Sequence, residues 1–493
     1  MQTQPKANAG DLPILIIGAG FAGMGMAIQL KKAGIESFTI LERAGDIGGT
    51  WRDNTYPGAA CDVPSHVYSY SFELNPGWSR AFAESDEIWK YLESVAEKWQ
   101  LRAHIRFDTE VVDARFDPAE GLWTLTTAAG ETLTARVVVS AVGGLVDPAL
   151  PDIKGIQSFR GEIFHTARWN HDYDLVGKRV AVIGTGASAV QVVPSIAREV
   201  AQLDVYQRTP GWVMPKLDRR YSARTRRFLA RFPLALRFSR FLKYWFSELR
   251  GPMIFLDAPR LSRIGEKASA LHLKNSVSDP ALREKLEPHF QFGCKRILIS
   301  DDYWSTFERE NVELVTDPIE EICPDGILGS DGTLREVDAI VLATGFEVSM
   351  CAAPFEVAGL GDSTLSEAWS GGAVAYKGVC VSGFPNWFIL MGPNTGPGHT
   401  SVLVFTEAQI RFAMAAIRRL RAGGARYLHV EQRVQDRYNA RIQKRMPHMV
   451  WSSGCNSWYL SEDGSNHALY PGPAAEYVLR LRFRPEEFEI IGP

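Results

Sequence analysis

Two stretches of the chain share one hydrophobic rhythm. Leu12 to Ile17 is a short continuous apolar run that breaks at Gly18; a small-residue helix to about Ala33 follows, then a second run from Ser37 to Leu41 that ends at Glu42. Arg179 to Ile183 repeats the pattern, with a break at Gly184, a helix, and a second run from Asp204 to Gln207. Short apolar runs without alternation read as strands buried on both faces, and strand–helix–strand units of this size read as parallel βαβ units. Two of them predict an α/β fold with two Rossmann-like domains. A later run, Asp338 to Leu342, leads into Ala343-Thr344-Gly345-Phe346 and reads as a late strand of the first sheet. The chain is therefore expected to return to its first domain after about residue 325, with the second domain inserted.

Residues 216–290 follow a different pattern. They are basic and helical in period, as in Arg226-Arg227-Phe228-Leu229-Ala230-Arg231-Phe232. An amphipathic helix on a membrane surface would look like this. A helical cap over a site, with its arginines in solvent, is favoured instead, because Pro233, Pro252 and Pro259 are expected to cut the pattern into short pieces. Neither repeats nor low-complexity tracts occur.

Length and composition narrow the class. A chain of 493 residues exceeds one ordinary core and predicts two or three domains. With 45% hydrophobic and 23% charged residues it falls at globular averages, which argues against disorder. A formal charge of −3 argues against bulk electrostatic binding to nucleic acid or to anionic lipid. The six cysteines (Cys61, Cys294, Cys323, Cys351, Cys380 and Cys455) show no CxxC pair, so inert thiols in a reducing cytoplasm are expected. The first apolar run is too short for a secretory signal, and no run approaches a membrane span. Composition leaves the oligomeric state open.

The breaks carry the chemistry. In Gly18-Ala19-Gly20-Phe21-Ala22-Gly23, Gly18 allows the tight turn, Gly20 lets backbone approach a pyrophosphate, and Gly23 lets helix pack on strand. The helix N-terminus offers free N–H groups to the phosphates. Glu42, nineteen residues after Gly23, is placed to bond a ribose hydroxyl as an exposed contact of modest energy. The second loop, Gly184-Thr185-Gly186-Ala187-Ser188-Ala189, has alanine at the third small position, and Arg208 follows its second strand where an acid would serve NAD. A guanidinium there can hold a 2′-phosphate, which points to NADP.

Two further motifs bring in a family. Gly48-Gly49-Thr50-Trp51-Arg52-Asp53-Asn54-Thr55-Tyr56-Pro57-Gly58-Ala59-Ala60-Cys61-Asp62 resembles one fingerprint of the flavin-dependent Baeyer–Villiger monooxygenases. Phe159 to Trp169 is similar to their FxGxxxHxxxW signature; it is followed by Asn170 where the family has Pro or Asp. Similarity continues in Gly293-Cys294-Lys295-Arg296, Ala343-Thr344-Gly345, Phe384-Pro385-Asn386, Gly392-Pro393-Asn394 and Asn456-Ser457-Trp458-Tyr459. The resemblance spans residues 13–480. It implies FAD in the first domain and NADPH in the second, with a C4a-peroxyflavin converting a ketone and molecular oxygen into an ester or lactone. Expected boundaries are 1–145 and 326–493 for the FAD domain, 146–215 and 291–325 for the NADP domain, and 216–290 for the cap.

By the same resemblance Arg296 is the fixed cation for the peroxyanion and Asp62 holds its guanidinium. Lys295 is a second contact to the 2′-phosphate, and Trp458 covers the nicotinamide-side ribose. Gly49, Thr50, Trp51, Tyr68, Val111, Gln191, Thr209 and Asn394 complete the expected cofactor-binding set, with Phe21, Ala187 and Ser188 from the two loops. His165 and Trp169 are expected to hold the linker between domains, without acting on substrate. Two other activities share these motifs: N- or S-oxygenation by a related flavoenzyme, and a non-catalytic NADP(H) sensor. Trp169 and Arg296 argue against the first, since sister monooxygenases carry Tyr or Phe at the former. The intact loops argue against the second.

Overall fold

The computed structural model describes residues 12–347, 353–455, 460–461 and 464–492. Two five-stranded parallel sheets organise the molecule. The first has the order Trp387–Ile389, Val137–Ser140, Ile14–Ile17, Phe38–Leu41, Ile105–Arg106. Every residue of Ile14–Ile17 is buried, as a strand covered on both faces requires. The helix Phe21–Lys32 covers one face and packs against the helix Val402–Arg421. The second sheet runs Val312–Val315, Gln202–Tyr206, Arg179–Ile183, Ala339–Leu342, Glu162–His165.

The position of Ala339–Leu342 corrects the sequence expectation. It pairs in parallel with Arg179–Ile183 and with Glu162–His165, so it belongs to the second sheet and not to the first. An ion pair fixes this register: Arg179 donates from its backbone N to Asp338 Oδ2 at 2.8 Å and from Nη2 to Oδ1 at 2.9 Å. The chain rejoins the first half only at Glu356–Ala358, which pairs with Val111–Asp117 in a four-stranded sheet, and then at Trp387–Ile389. The expected boundary near residue 326 is thus about thirty residues early; residues 319–336 form a three-stranded antiparallel sheet before the second domain is complete. The two segments are alike for a physical reason. Ala141-Val142-Gly143 after one central strand and Ala343-Thr344-Gly345 after another occupy equivalent places beside the two glycine loops.

Two linkers join the halves and run side by side. Ala149 N donates to Gly345 O and Glu347 N to Asp147 O, both at 2.9 Å, and Thr344 Oγ1 donates to Ala149 O at 2.6 Å.

The segment after residue 216 is helical, as expected, but it is not a set of short pieces. Its helices are Ala223–Arg231, Pro233–Phe255, Pro259–Ser276 and Pro280–Leu286. Pro233 and Pro259 begin helices, at the position where a missing N–H costs nothing. The second helix continues for 23 residues through Pro252, so the proline there does not break it.

The cysteine expectation is also corrected. Cys294 and Cys455 are joined by a disulfide, with Cα atoms 6.2 Å apart across 161 residues of sequence. The fold brings them together, and no local spacing could have revealed the pair. Cys61, Cys323 and Cys380 are free, and Cys351 lies outside the described residues.

Candidate active site

The two glycine loops are built alike. Gly18 has φ +104°, and a Cβ there would meet Ala141 O at 2.6 Å. Gly184 has φ +116°, and its Cβ would meet Ala343 O at 2.4 Å. In each domain the chain therefore turns against the carbonyl that ends the neighbouring strand, and only glycine fits. The middle glycines face open space: no atom lies near a Gly186 Cβ, and only Gly49 Cα approaches that of Gly20, at 3.9 Å. Phe21–Lys32 has no side-chain cap, and Ser188 does not cap Ala189–Ile196. Both helix N-termini thus present uncapped N–H groups above an open backbone, the arrangement that suits a phosphate.

Beside the first loop stands an aromatic wall. Trp51 Nε1 donates to the Tyr68 hydroxyl at 3.0 Å, and Tyr68 meets both Phe21 and Trp51 edge to face. Burial pushes the Tyr68 phenol well above its ordinary value, so it stays a neutral donor. Thr50 and Trp51 open a short helix, Thr50–Asp53, whose N-cap is Gly49. Glu42 differs from its expectation. It is buried, not exposed: Oε2 accepts from Ala19 N at 2.7 Å, and Oε1 accepts from Ala44 N at 3.1 Å and Arg52 Nη1 at 3.0 Å. The carboxylate braces the glycine loop from behind as well as facing the strand end. Thr109 N donates to Glu42 O at 2.9 Å, which brings Val111 to the same end of the sheet.

The fingerprint segment turns out to be a strap between domains. Tyr56 donates to Gln191 Oε1 at 2.8 Å, and Gln191 Nε2 donates to Ala60 O at 2.9 Å. A Cβ on Gly58 would strike Gln191 O at 2.6 Å, so the strap lies directly on the helix Ala189–Ile196. Gln191 thus ties the two halves together, a role spacing did not suggest. The strap ends at Asp62, whose Oδ2 accepts from Arg296 Nη2 at 2.5 Å. Burial alone would raise the Asp62 carboxyl; the Arg296 guanidinium overrides it and holds the group below its ordinary value, with Lys216 adding to the effect. Arg296 lies two residues before the strand Leu298–Ile299, which pairs with Val213–Met214. The pair therefore joins residues from the two domains.

Around it the cations are distributed with purpose. Lys216 was missed in the sequence, where nothing in Pro215-Lys216-Leu217 marks it. It is half-buried, and burial lowers its ammonium although Asp62 and Asp218 oppose this. Arg208, two residues beyond the strand Gln202–Tyr206, is exposed. Lys295 has its ammonium lowered first by burial and then by Arg208, and its Nζ sits 5.1 Å from the Phe290 ring. Among the described residues neither Arg208 nor Lys295 forms an ion pair with a carboxylate. Two neighbouring cations without an acid make a site for an anion such as a 2′-phosphate. Thr185 donates to Thr209 O at 3.1 Å and fixes the turn between loop and Arg208.

Other expected residues serve the frame. His165 is buried; Nδ1 accepts from Ala167 N at 3.1 Å, and burial lowers its pKa, which keeps it neutral. Trp169 packs edge to face on Phe164 at 4.8 Å. Asn394 is buried and donates its amide to Asn466 O and Leu469 O, so its side chain knits the chain near residue 467 and leaves only the carbonyl oxygen for a cofactor. Trp458 lies outside the described residues.

A pair of glycine loops with anion-ready helix ends, with a strap from the first domain lying on the helix after the second loop, defines a two-dinucleotide oxidoreductase. Residues 15–232 match the family model of pyridine nucleotide-disulphide oxidoreductases. A Baeyer-Villiger monooxygenase of Streptomyces coelicolor is 44% identical, covering 97% of this chain and 93% of the relative. One from Pseudomonas aeruginosa is 44% identical over 99% of this chain and 92% of its own length. Among solved structures, OTEMO in complex with FAD and NADP superposes with a TM-score of 0.87 at 28% identity, covering 98% of this chain and all of the other. The chain belongs to the Baeyer–Villiger monooxygenase family.

Proposed function

We propose that the chain is an FAD- and NADPH-dependent monooxygenase that oxidises ketones to esters or lactones. The observation that carries this is the Asp62–Arg296 pair, held where the strap from the first domain meets the second. The residues fit both cofactors. The open backbone at Gly20, the uncapped helix end and the wall of Phe21, Trp51 and Tyr68 suit FAD, and Gly186 with Arg208 and Lys295 suits NADPH. When bound, FAD supplies the oxygen-transferring chemistry and NADPH the reducing hydride.

The chain's own residues do the rest. Arg296 presents a permanent cation to negative charge that develops at the junction, and Asp62 orients that guanidinium. Arg208 and Lys295 choose the phosphorylated nicotinamide cofactor. Glu42 stiffens the first loop, Val111 lines the same sheet end, and Gln191 keeps strap and second domain in contact.

The test is turnover of the FAD-loaded protein. NADPH and oxygen are expected to be consumed faster when a ketone is added, with an ester or lactone detected by mass. Oxygenation of amines or sulfides with every ketone inert would overturn the reading. So would NADPH oxidation that no substrate changes.

A further inference from the structure

We propose that the outer face of the helix Pro233–Phe255 docks on an anionic lipid bilayer. A surface helix of a globular protein turns its apolar stripe inward and its charges outward; this one exposes a second, broad apolar stripe among its outward arginines. Leu234, Phe238, Phe241, Leu242, Trp245 and Leu249 recur at helical spacing and are all exposed, Leu234 by 76% and Leu249 by 77%. The inner face, where Leu236 and Phe255 are buried, is also firmly held by polar contacts. Arg240 Nη1 donates to the carbonyls of His66, Val67 and Ser69 at 2.9–3.0 Å. Glu248 accepts from Ala475 N at 3.3 Å and bonds His399 at 3.1 Å. These buried polar contacts fix the helix's rotation, so the apolar stripe cannot roll inward.

Charge identifies the occupant. Residues 222–255 hold eight Arg and Lys against one acid, Glu248, in a chain whose net charge is −3. Arg237 and Arg250 flank the stripe, with Arg250 lying 4.5 Å over the Phe246 ring, and Arg224, Arg226, Arg227 and Arg231 extend the basic border along Ala223–Arg231. An aromatic stripe rimmed by exposed arginines matches a bilayer interface, where rings enter the acyl boundary and guanidinium groups meet phosphates. It suits a second copy poorly, because a two-fold contact would set the cationic borders against each other. A patch of this extent exceeds the scattered apolar residues of ordinary surfaces. It continues into an open groove of about 530 Å³ beside Ala474–Arg480, lined by Trp245, Leu249 and Leu479, where Glu248 bonds His399 and Glu476 is paired with Arg480. Among the described residues no helix is long and apolar enough to cross a membrane, so the contact is with the surface.

The experiment is flotation of the full-length, FAD-loaded protein with vesicles. The expected result is flotation with phosphatidylcholine containing roughly a third phosphatidylglycerol, weakened by about tenfold or more on pure phosphatidylcholine and by added salt. The double variant Phe238→Glu/Trp245→Glu, and separately Arg226→Glu/Arg227→Glu, is expected to bind at least about tenfold more weakly while keeping its FAD. Failure of the parent to float with anionic vesicles would overturn the proposal, as would flotation that neither double variant reduces. Sedimentation supplies a further refutation: a parent dimer that Phe238→Glu converts to monomer would show that a second copy covers this face.

Discussion

Replacing Arg296 with alanine separates structural from chemical roles, because the two differ in magnitude. The Arg296 side chain is 43% exposed and that of Asp62 29%. An ion pair so open to solvent is worth at most about 1 kcal/mol to stability after screening. Its loss would let burial push the Asp62 carboxyl upward, an effect Lys216 partly offsets. Fold and FAD content are therefore expected to survive. The chemical effect is larger: once bound cofactors and substrate exclude water from the guanidinium, a fixed charge aimed at developing negative charge contributes about 3–4 kcal/mol, on the order of a hundred- to a thousandfold in rate. An arginine donates no proton at working pH, so reduction of FAD by NADPH should persist, though more slowly. We expect Arg296→Ala to consume NADPH and return the oxygen as hydrogen peroxide, with almost no ester. Arg296→Lys should restore little, since an ammonium cannot reproduce the planar fork that meets Asp62. Stopped-flow reduction, peroxide yield and ester yield, measured on one preparation, check each step. Ester formation by Arg296→Ala near the parent's rate would refute the reasoning and remove the case for Asp62.

Arg208→Ala should weaken NADPH by about ten- to a hundredfold and NADH little, the size of one charge-assisted contact; equal losses in titrations with both cofactors would show that Arg208 does not read the phosphate. Glu42→Gln should lower both FAD retention and the melting temperature, because three donors lose a carboxylate worth about 1.5–3 kcal/mol; parental values of both would make Glu42 a passive strand-end residue. His66, buried against Tyr221 and bonded to Ser239, has its pKa lowered to about 4 by burial and then by Lys243 and Arg240. The unfolded chain therefore binds the extra proton between about pH 6.5 and pH 4, and stability is full above that window and falls by roughly 3 kcal/mol across it. His66→Asn should flatten this part of the pH–stability curve in thermal melts, and an unchanged slope would exclude His66 as its source.

What the sequence made legible was local. The glycine loops, the strand runs beside them and the fingerprint through Asp62 are contiguous, and their chemistry depends on backbone shape that glycine dictates. Long-range pairings were not legible. A buried strand followed by Ala-Thr-Gly looks the same in either domain, so the sequence of Ala339–Leu342 does not say which sheet it joins; Arg179 decides, 159 residues away from Asp338. Glu42 reads as an exposed acid in the sequence because its partner Arg52 follows ten residues later in a loop whose path the sequence does not fix. Lys216 and the Cys294–Cys455 bond carry no motif at all. For the helix Pro233–Phe255, proline content misled because Pro233 occupies a start position, and period alone cannot say which face turns inward.

The repeated loop construction has a consequence for catalysis. Each glycine loop is braced within its own sheet, Gly18 against Ala141 and Gly184 against Ala343. The charge pair cannot form that way. Asp62 ends the strap from the first sheet, while Arg296 precedes a strand that pairs with Val213–Met214 beyond the second sheet's own loop. Their contact, with Tyr56 and Ala60 on Gln191, exists only when the domains are seated as they are here. Orientation of the Arg296 guanidinium is thus conditional on domain seating, whereas the shape of each glycine loop is not. A chain that must keep reactive oxygen from escaping gains from that order: the stabilising cation is in place only once the two halves enclose the site.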